Sequence, residues 1–162
     1  RRITFYSNRQ PYLLSLGKSQ QLDESAGRNE CEESYTSQNT THELLSGTLK
    51  LEIGEYTFRA KLYANASTLA LQKRLPLTLN MHDLHSNEKY FHFSDALPSS
   101  PAPIDVLHTG DLMLWQDTSF VLFYKTFSTS YMYTKLGYLE ETTKLEEALG
   151  KSDVSVTLTW DR

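Results

Sequence analysis

Val154, Val156, Leu158 and Trp160 alternate with Ser155, Thr157 and Thr159 at the end of the chain. Strict apolar/polar alternation puts successive side chains on opposite sides of a pleated ribbon, so the segment can be stable only as a half-buried strand. The pattern recurs. Leu49, Leu51 and Ile53 alternate with Lys50 and Glu52, and Tyr56, Phe58, Ala60 and Leu62 alternate with Thr57, Arg59 and Lys61. Gly54-Glu55 between them fits a two-residue hairpin with glycine where positive φ is needed. Leu77–Met81 alternates again, Tyr90–Phe93 is short and extended, and Thr134–Leu139 reads as a further strand in which Gly137 marks a bulge or a close backbone approach.

The centre of this pattern is Thr109–Trp115 followed by Phe120–Lys125, two apolar runs joined by the polar stretch Gln116–Ser119. They predict a buried hairpin, with Met113 and Trp115 on one face and Leu112 and Leu114 on the other. Gly110-Asp111 reads as a turn in which Asp111 accepts backbone N–H groups. Between the strands lie two helical signals. Asn65 or Ser67 can cap a helix through Leu69, Leu71 and Leu75, stopped by Pro76. Thr143 with Glu146 is a capping-box pattern, and Gly150 is a natural stop. His82–Lys89 reads as a polar loop and Ala96–Pro103 as an irregular excursion.

Seven or eight short strands joined mostly by hairpins, with two short helices and no βαβ alternation, predict a mainly β fold. A closed antiparallel barrel with helices at its ends would bury every apolar face and leave few free edges. Residues 1–47 differ. Ser19–Ser46 is dominated by Ser, Gln, Glu, Thr and Asn and cannot bury enough area to offset about 1–2 kcal/mol of backbone entropy per residue. We expect a polar tether at 1–47 and a barrel domain at 48–162. The chain begins without Met, with basic residues and a short apolar patch before the tether. Two origins fit this: the remnant of an exported, surface-tethered protein, secreted or lipid-anchored, or an unrelated polar extension. The first makes an extracytoplasmic location the expectation. No cysteine follows the patch closely, and Cys31 lies too deep for a lipid anchor.

A net charge of −4 without a clustered Lys/Arg stripe argues against nucleic acid as a partner. No apolar run approaches the ~20 residues of a membrane-spanning helix. The one cysteine cannot form an internal disulfide. His82-Asp83-Leu84-His85, with His92 and His108, lacks the ligand set of a zinc site, so no metal and no cofactor are expected. No strained Gly-x-Ser-x-Gly elbow supports nucleophilic catalysis.

Residues 48–160 resemble the bacterial cyclophilin-like domains, a mostly uncharacterised family of small barrels. The likeness is carried by Phe58–Asn65, Leu75–Leu79 with Met81 and Asp83, Asn87–Tyr90, Leu97-Pro98, Gly110–Trp115, Phe123-Tyr124 and Ser128–Gly137. It implies an eight-stranded barrel with two capping helices, related to the peptidyl-prolyl isomerases. Their mechanism needs a strand arginine beside an apolar pocket, and Leu77–Phe93 holds none; Lys89 is its only lysine and lacks the planar guanidinium fork.

The expectation is therefore a monomeric module that binds a peptide or small molecule, with a weak prolyl isomerase as the alternative. Its candidate ligand-binding residues are Glu88, Tyr90, Trp115, Phe123, Tyr124, Tyr131 and Tyr133, helped by the hydroxyls of Ser128–Ser130. For Asn87–Lys89, the plainer expectation is a turn with a surface ion pair.

Overall fold

A computed structural model describes residues 43–162; most of the expected tether lies outside the described residues. The elements, in chain order, are β1 (Thr48–Ile53), β2 (Tyr56–Leu62), α1 (Ala66–Arg74), β3 (Leu77–Leu84), β4 (Glu88–His92) and β5 (Ala102–Pro103). They continue with β6 (Val106–Leu107), β7 (Asp111–Trp115), β8 (Ser119–Phe123), β9 (Phe127–Ser128), β10 (Met132–Leu139), α2 (Leu145–Leu149) and β11 (Val154–Asp161).

Eight strands close on themselves. Around the wall the order is β2, β1, β11, β3, β4, β8, β7 and β10, every pairing antiparallel, and β10 returns to β2 through Gly137 opposite Leu62 and Leu139 opposite Ala60. The expected barrel is the fold observed. Closure satisfies the edge hydrogen bonds that an open sheet would leave to solvent. The chain reaches the wall before Thr48: Leu45 N donates to Leu62 O at 2.8 Å and Ala64 N to Glu43 O at 2.7 Å.

Gly137 is where closure is tightest. The register of β10 against β7 shifts between Lys135 and Gly137, and a Cβ on Gly137 would stand 2.1 Å from the Lys61 carbonyl oxygen. It thus serves as both the bulge and the close approach expected of it. Gly54 carries the Gly54-Glu55 turn at φ +61, as the hairpin requires.

The two helices stopper the two ends. Asn65 caps α1, its Oδ1 accepting from Thr68 N at 2.8 Å while Thr68 Oγ1 accepts from Asn65 N at 3.1 Å. Leu71 enters the barrel core, whereas Leu69 stays exposed. The expected capping box of α2 does not form. Lys144 adopts a left-handed φ of +69, no side chain caps the helix, and Thr143 donates to Glu141. Burial of Leu145 and Leu149 in the barrel mouth, rather than a cap, holds this five-residue helix.

His82–Lys89 is not a loop. Strand β3 runs through His82, Asp83 and Leu84, β4 begins at Glu88, and only 85–87 form the turn. The polar residues persist in strand conformation because the inward pair, Asp83 opposite Lys89, satisfies itself across the ladder. Ala96–Pro103 is irregular up to its last two residues, which pair with β10 at Met132 and Tyr133.

Alternation divides the apolar residues into two clusters. The larger fills the barrel, with Leu49, Leu51, Leu79, Met81, Leu112, Leu114, Phe120 and Leu122 among its members. The smaller lies on the outer surface of β7, β8 and β10 and joins Met113, Val121, Phe123 and Tyr133 to Ile104 and Leu107 from the covering segment. That segment includes the β6–β9 ribbon, Leu107 opposite Phe127. Strand β8 is therefore buried on both faces along its whole length.

Candidate functional site

The described residues do not cover the outer cluster to its edges. Tyr90, Trp115 and Phe127 pack against it and remain half-buried, and Tyr131 is exposed, its ring centroid 6.4 Å from that of Trp115. Phe123 and Tyr133 meet edge to face at 5.7 Å beneath the cover. This surface collects Tyr90, Trp115, Phe123, Tyr131 and Tyr133 of the candidate residues, with Met113 and Trp115 on one face as expected. Ser128 and Ser130 are exposed.

Tyr124 does not join them. It follows Phe120 and Leu122 into the barrel and is buried there. Its hydroxyl donates to Asp83 Oδ1, and burial followed by that bond pushes the phenol's pKa well up. Lys89 Nζ lies 3.1 Å from the same Asp83 oxygen, 2.6 Å from the Ser152 carbonyl oxygen and 5.7 Å from the centre of the Tyr124 ring. Asp83 Oδ2 accepts from Ser86 N at 3.0 Å. Lys89 is wholly buried, so the surface ion pair expected of 87–89 is replaced by an internal one. An interior ammonium needs all of these partners, because one left bare there is strongly disfavoured.

Glu88 points the other way. Across the ladder it faces Phe123, and it is half-buried on the same outer side as Tyr90. Burial, then the nearby Asp83 charge, pushes its carboxyl up to about 8. Tyr90 is flanked by His82 and His92, with ring centroids 5.5 and 4.9 Å away. His92 Nδ1 is 2.7 Å from the Ser119 hydroxyl, and burial followed by the His82 charge holds its imidazole below the ordinary value. His82 was missed from sequence because 82–89 read as a loop, whereas the extended reading of Tyr90–Phe93 already put His92 on the Tyr90 side.

Asp111 behaves as expected of a turn aspartate, Oδ2 accepting from His108 N at 2.8 Å, though burial still raises its carboxyl. His82 and Asp83 stand on opposite sides of the sheet wall and cannot converge on one ion. Among the described residues no group of three or more His, Cys, Asp or Glu is placed to hold a metal. No described helix is long and apolar enough to cross a membrane.

The described arginines are Arg59 on β2, Arg74 on α1 and Arg162 after β11, none of them on the strands of this face. With Lys89 turned inward, no described arginine or lysine of β3 or β4 offers this face the cation that the isomerase likeness implies.

The solution structure of a hypothetical protein from Archaeoglobus fulgidus is similar, with a TM-score of 0.55 at 18% sequence identity over 72% of this chain and 96% of that one. At that identity the likeness is one of fold. No curated protein matches the chain significantly. The Cyclophilin-like family model matches residues 51–161, from the second half of β1 to the last residue of β11, and so takes in both helices and the outer aromatic surface. The chain belongs to the Cyclophilin-like family.

Proposed function

We propose that this domain is a binding module whose ligand, a short peptide, lies on the outer face of β4, β8 and β7. The observation that carries this reading is the incomplete cover of the outer apolar cluster. Tyr90, Trp115 and Tyr131 extend it to solvent, and Glu88, His92 and Ser119 border it with polar groups. Aromatic rings supply large contact area at low conformational cost, and a few fixed polar groups orient what binds. Isomerase activity is the weaker reading, because no arginine among the described residues stands on this face.

Nitrogen-15 NMR titration against a phage-selected peptide tests it. Selection on the full chain from a random heptapeptide library is expected to enrich a consensus, and that peptide should shift amides within 88–92, 113–123 and 127–133. Tyr90→Ala and Trp115→Ala should each weaken binding at least tenfold while the remaining spectrum stays folded. Failure to enrich any peptide, or shifts confined to another part of the barrel, would overturn the proposal.

A further inference from the structure

Glu88 is the unexplained group on this face. It is half-buried, and among the described residues its carboxyl makes no hydrogen bond and no ion pair, although Phe123 and Tyr90 flank it. His85 lies in the turn just before Glu88, and the lysines of the neighbouring elements and His82 pair elsewhere or stand away from it. Lys89 holds Asp83 and the Ser152 carbonyl inside the barrel. Lys125, two residues beyond Phe123, holds Glu146 of α2 at 2.8 Å. His82 on β3 lies 3.1 Å from Asp153. Lys135 stands on β10, beyond β8 and β7 in the sheet order. The other titratable groups nearby are Asp83 and Tyr124 behind the wall and Tyr90 and His92 on the same strand.

From this geometry we propose that the peptide carries a basic side chain, lysine or arginine, and that Glu88 is the residue that receives it. This rests on the binding reading above and deepens it. A half-buried carboxyl with no partner is costly in the free protein and is satisfied when a cation arrives. The ring of Tyr90 beside it adds a face to which ammonium and guanidinium groups are attracted. Because burial holds the free carboxyl up at about 8, a cation that restores its ionised form expels a proton. Binding near neutral pH therefore releases a proton from the protein.

Parallel phage selections on the wild-type chain and on Glu88→Gln decide the matter, followed by calorimetry of the wild-type consensus peptide in phosphate and in Tris at pH 7. Wild type is expected to enrich Lys or Arg next to an apolar or aromatic residue. Glu88→Gln should lose the basic position while keeping the apolar one, and should bind the wild-type peptide at least tenfold more weakly. The binding heat should differ between the buffers for wild type and not for the variant. An enriched consensus without a basic residue, an unchanged preference in Glu88→Gln, or buffer-independent heats would each overturn the role of Glu88 and leave the binding surface standing. No enrichment by either protein would remove the surface itself, and this proposal with it.

Discussion

Lys89 Nζ sits 3.1 Å from Asp83 Oδ1, directly across the β3–β4 ladder and on the inner side of the barrel wall. The pair fixes the β3–β4 hairpin against the Ser152 carbonyl that follows α2 and against the Tyr124 hydroxyl after β8. Three separate elements are thus tied at one barrel mouth.

Removing one member of this pair is expected to cost far more than removing both. Lys89→Met alone should destabilise the domain by about 3–5 kcal/mol, because Asp83 is left charged and half-enclosed. Asp83→Asn with Lys89→Met should recover most of that loss, since replacing a buried pair by neutral groups is often close to neutral. Urea denaturation of the two single variants and the double variant measures the coupling. Additive losses would contradict the account of an interior pair.

Gly137→Ala is expected to be among the most damaging single substitutions. Its Cβ would meet backbone, the Lys61 carbonyl oxygen at 2.1 Å and Leu62 Cα at 2.9 Å, and backbone on the closing strand cannot move aside. We expect a loss of at least about 4 kcal/mol or failure to fold. Gly54→Ala, at a turn with nothing within 4 Å of its Cβ, should cost only the about 1–2 kcal/mol of a left-handed residue. Thermal unfolding of both variants checks the contrast.

Asn65→Ala removes the cap of α1 and the 2.9 Å bond from Asn65 Nδ2 to the Lys135 carbonyl. The cap alone contributes about 1 kcal/mol, and the Lys135 carbonyl loses its side-chain partner, so about 2 kcal/mol is expected in total. Asn65→Ser restores a capping oxygen but not the reach to Lys135, and should recover roughly half of it. Chemical denaturation of the two variants gives the comparison.

Glu88 makes stability fall as pH rises. Its folded pKa of about 8 lies above the about 4.3 of an unfolded glutamate, so between those values the folded state binds more protons than the unfolded one. The domain should be favoured below that window and lose this contribution progressively up to about pH 8. Glu88→Gln cannot ionise, so it should flatten that limb and be the more stable protein above it. Denaturation midpoints of both proteins from pH 5 to 9 test the sign.

The sequence by itself determined the local structure of the barrel. Period-2 alternation identified most wall strands, glycine chemistry the Gly54 turn, and cap chemistry the start of α1 at Asn65 or Ser67, because each depends on a few neighbouring residues and on backbone sterics. It also placed Met113 and Trp115 opposite Leu112 and Leu114, since one strand fixes its own two faces. The capping box at Thr143 is the local signal that failed, because α2 is set by where Leu145 and Leu149 can be buried.

Only the tertiary structure decided which face is the inside. In β8 both faces are apolar and both are buried, one in the barrel and one under the covering segment. Alternation sets Phe123 and Tyr124 on opposite faces, but no pattern along the chain could say that Phe123 lies outside and Tyr124 inside. Nor could the residue types of 82–89 reveal that Lys89 and Asp83 face each other across a ladder while Glu88 is left outside, without a partner among the described residues. Those assignments follow from pairing and closure, which bring together residues far apart in sequence and set the burial that fixes their charges.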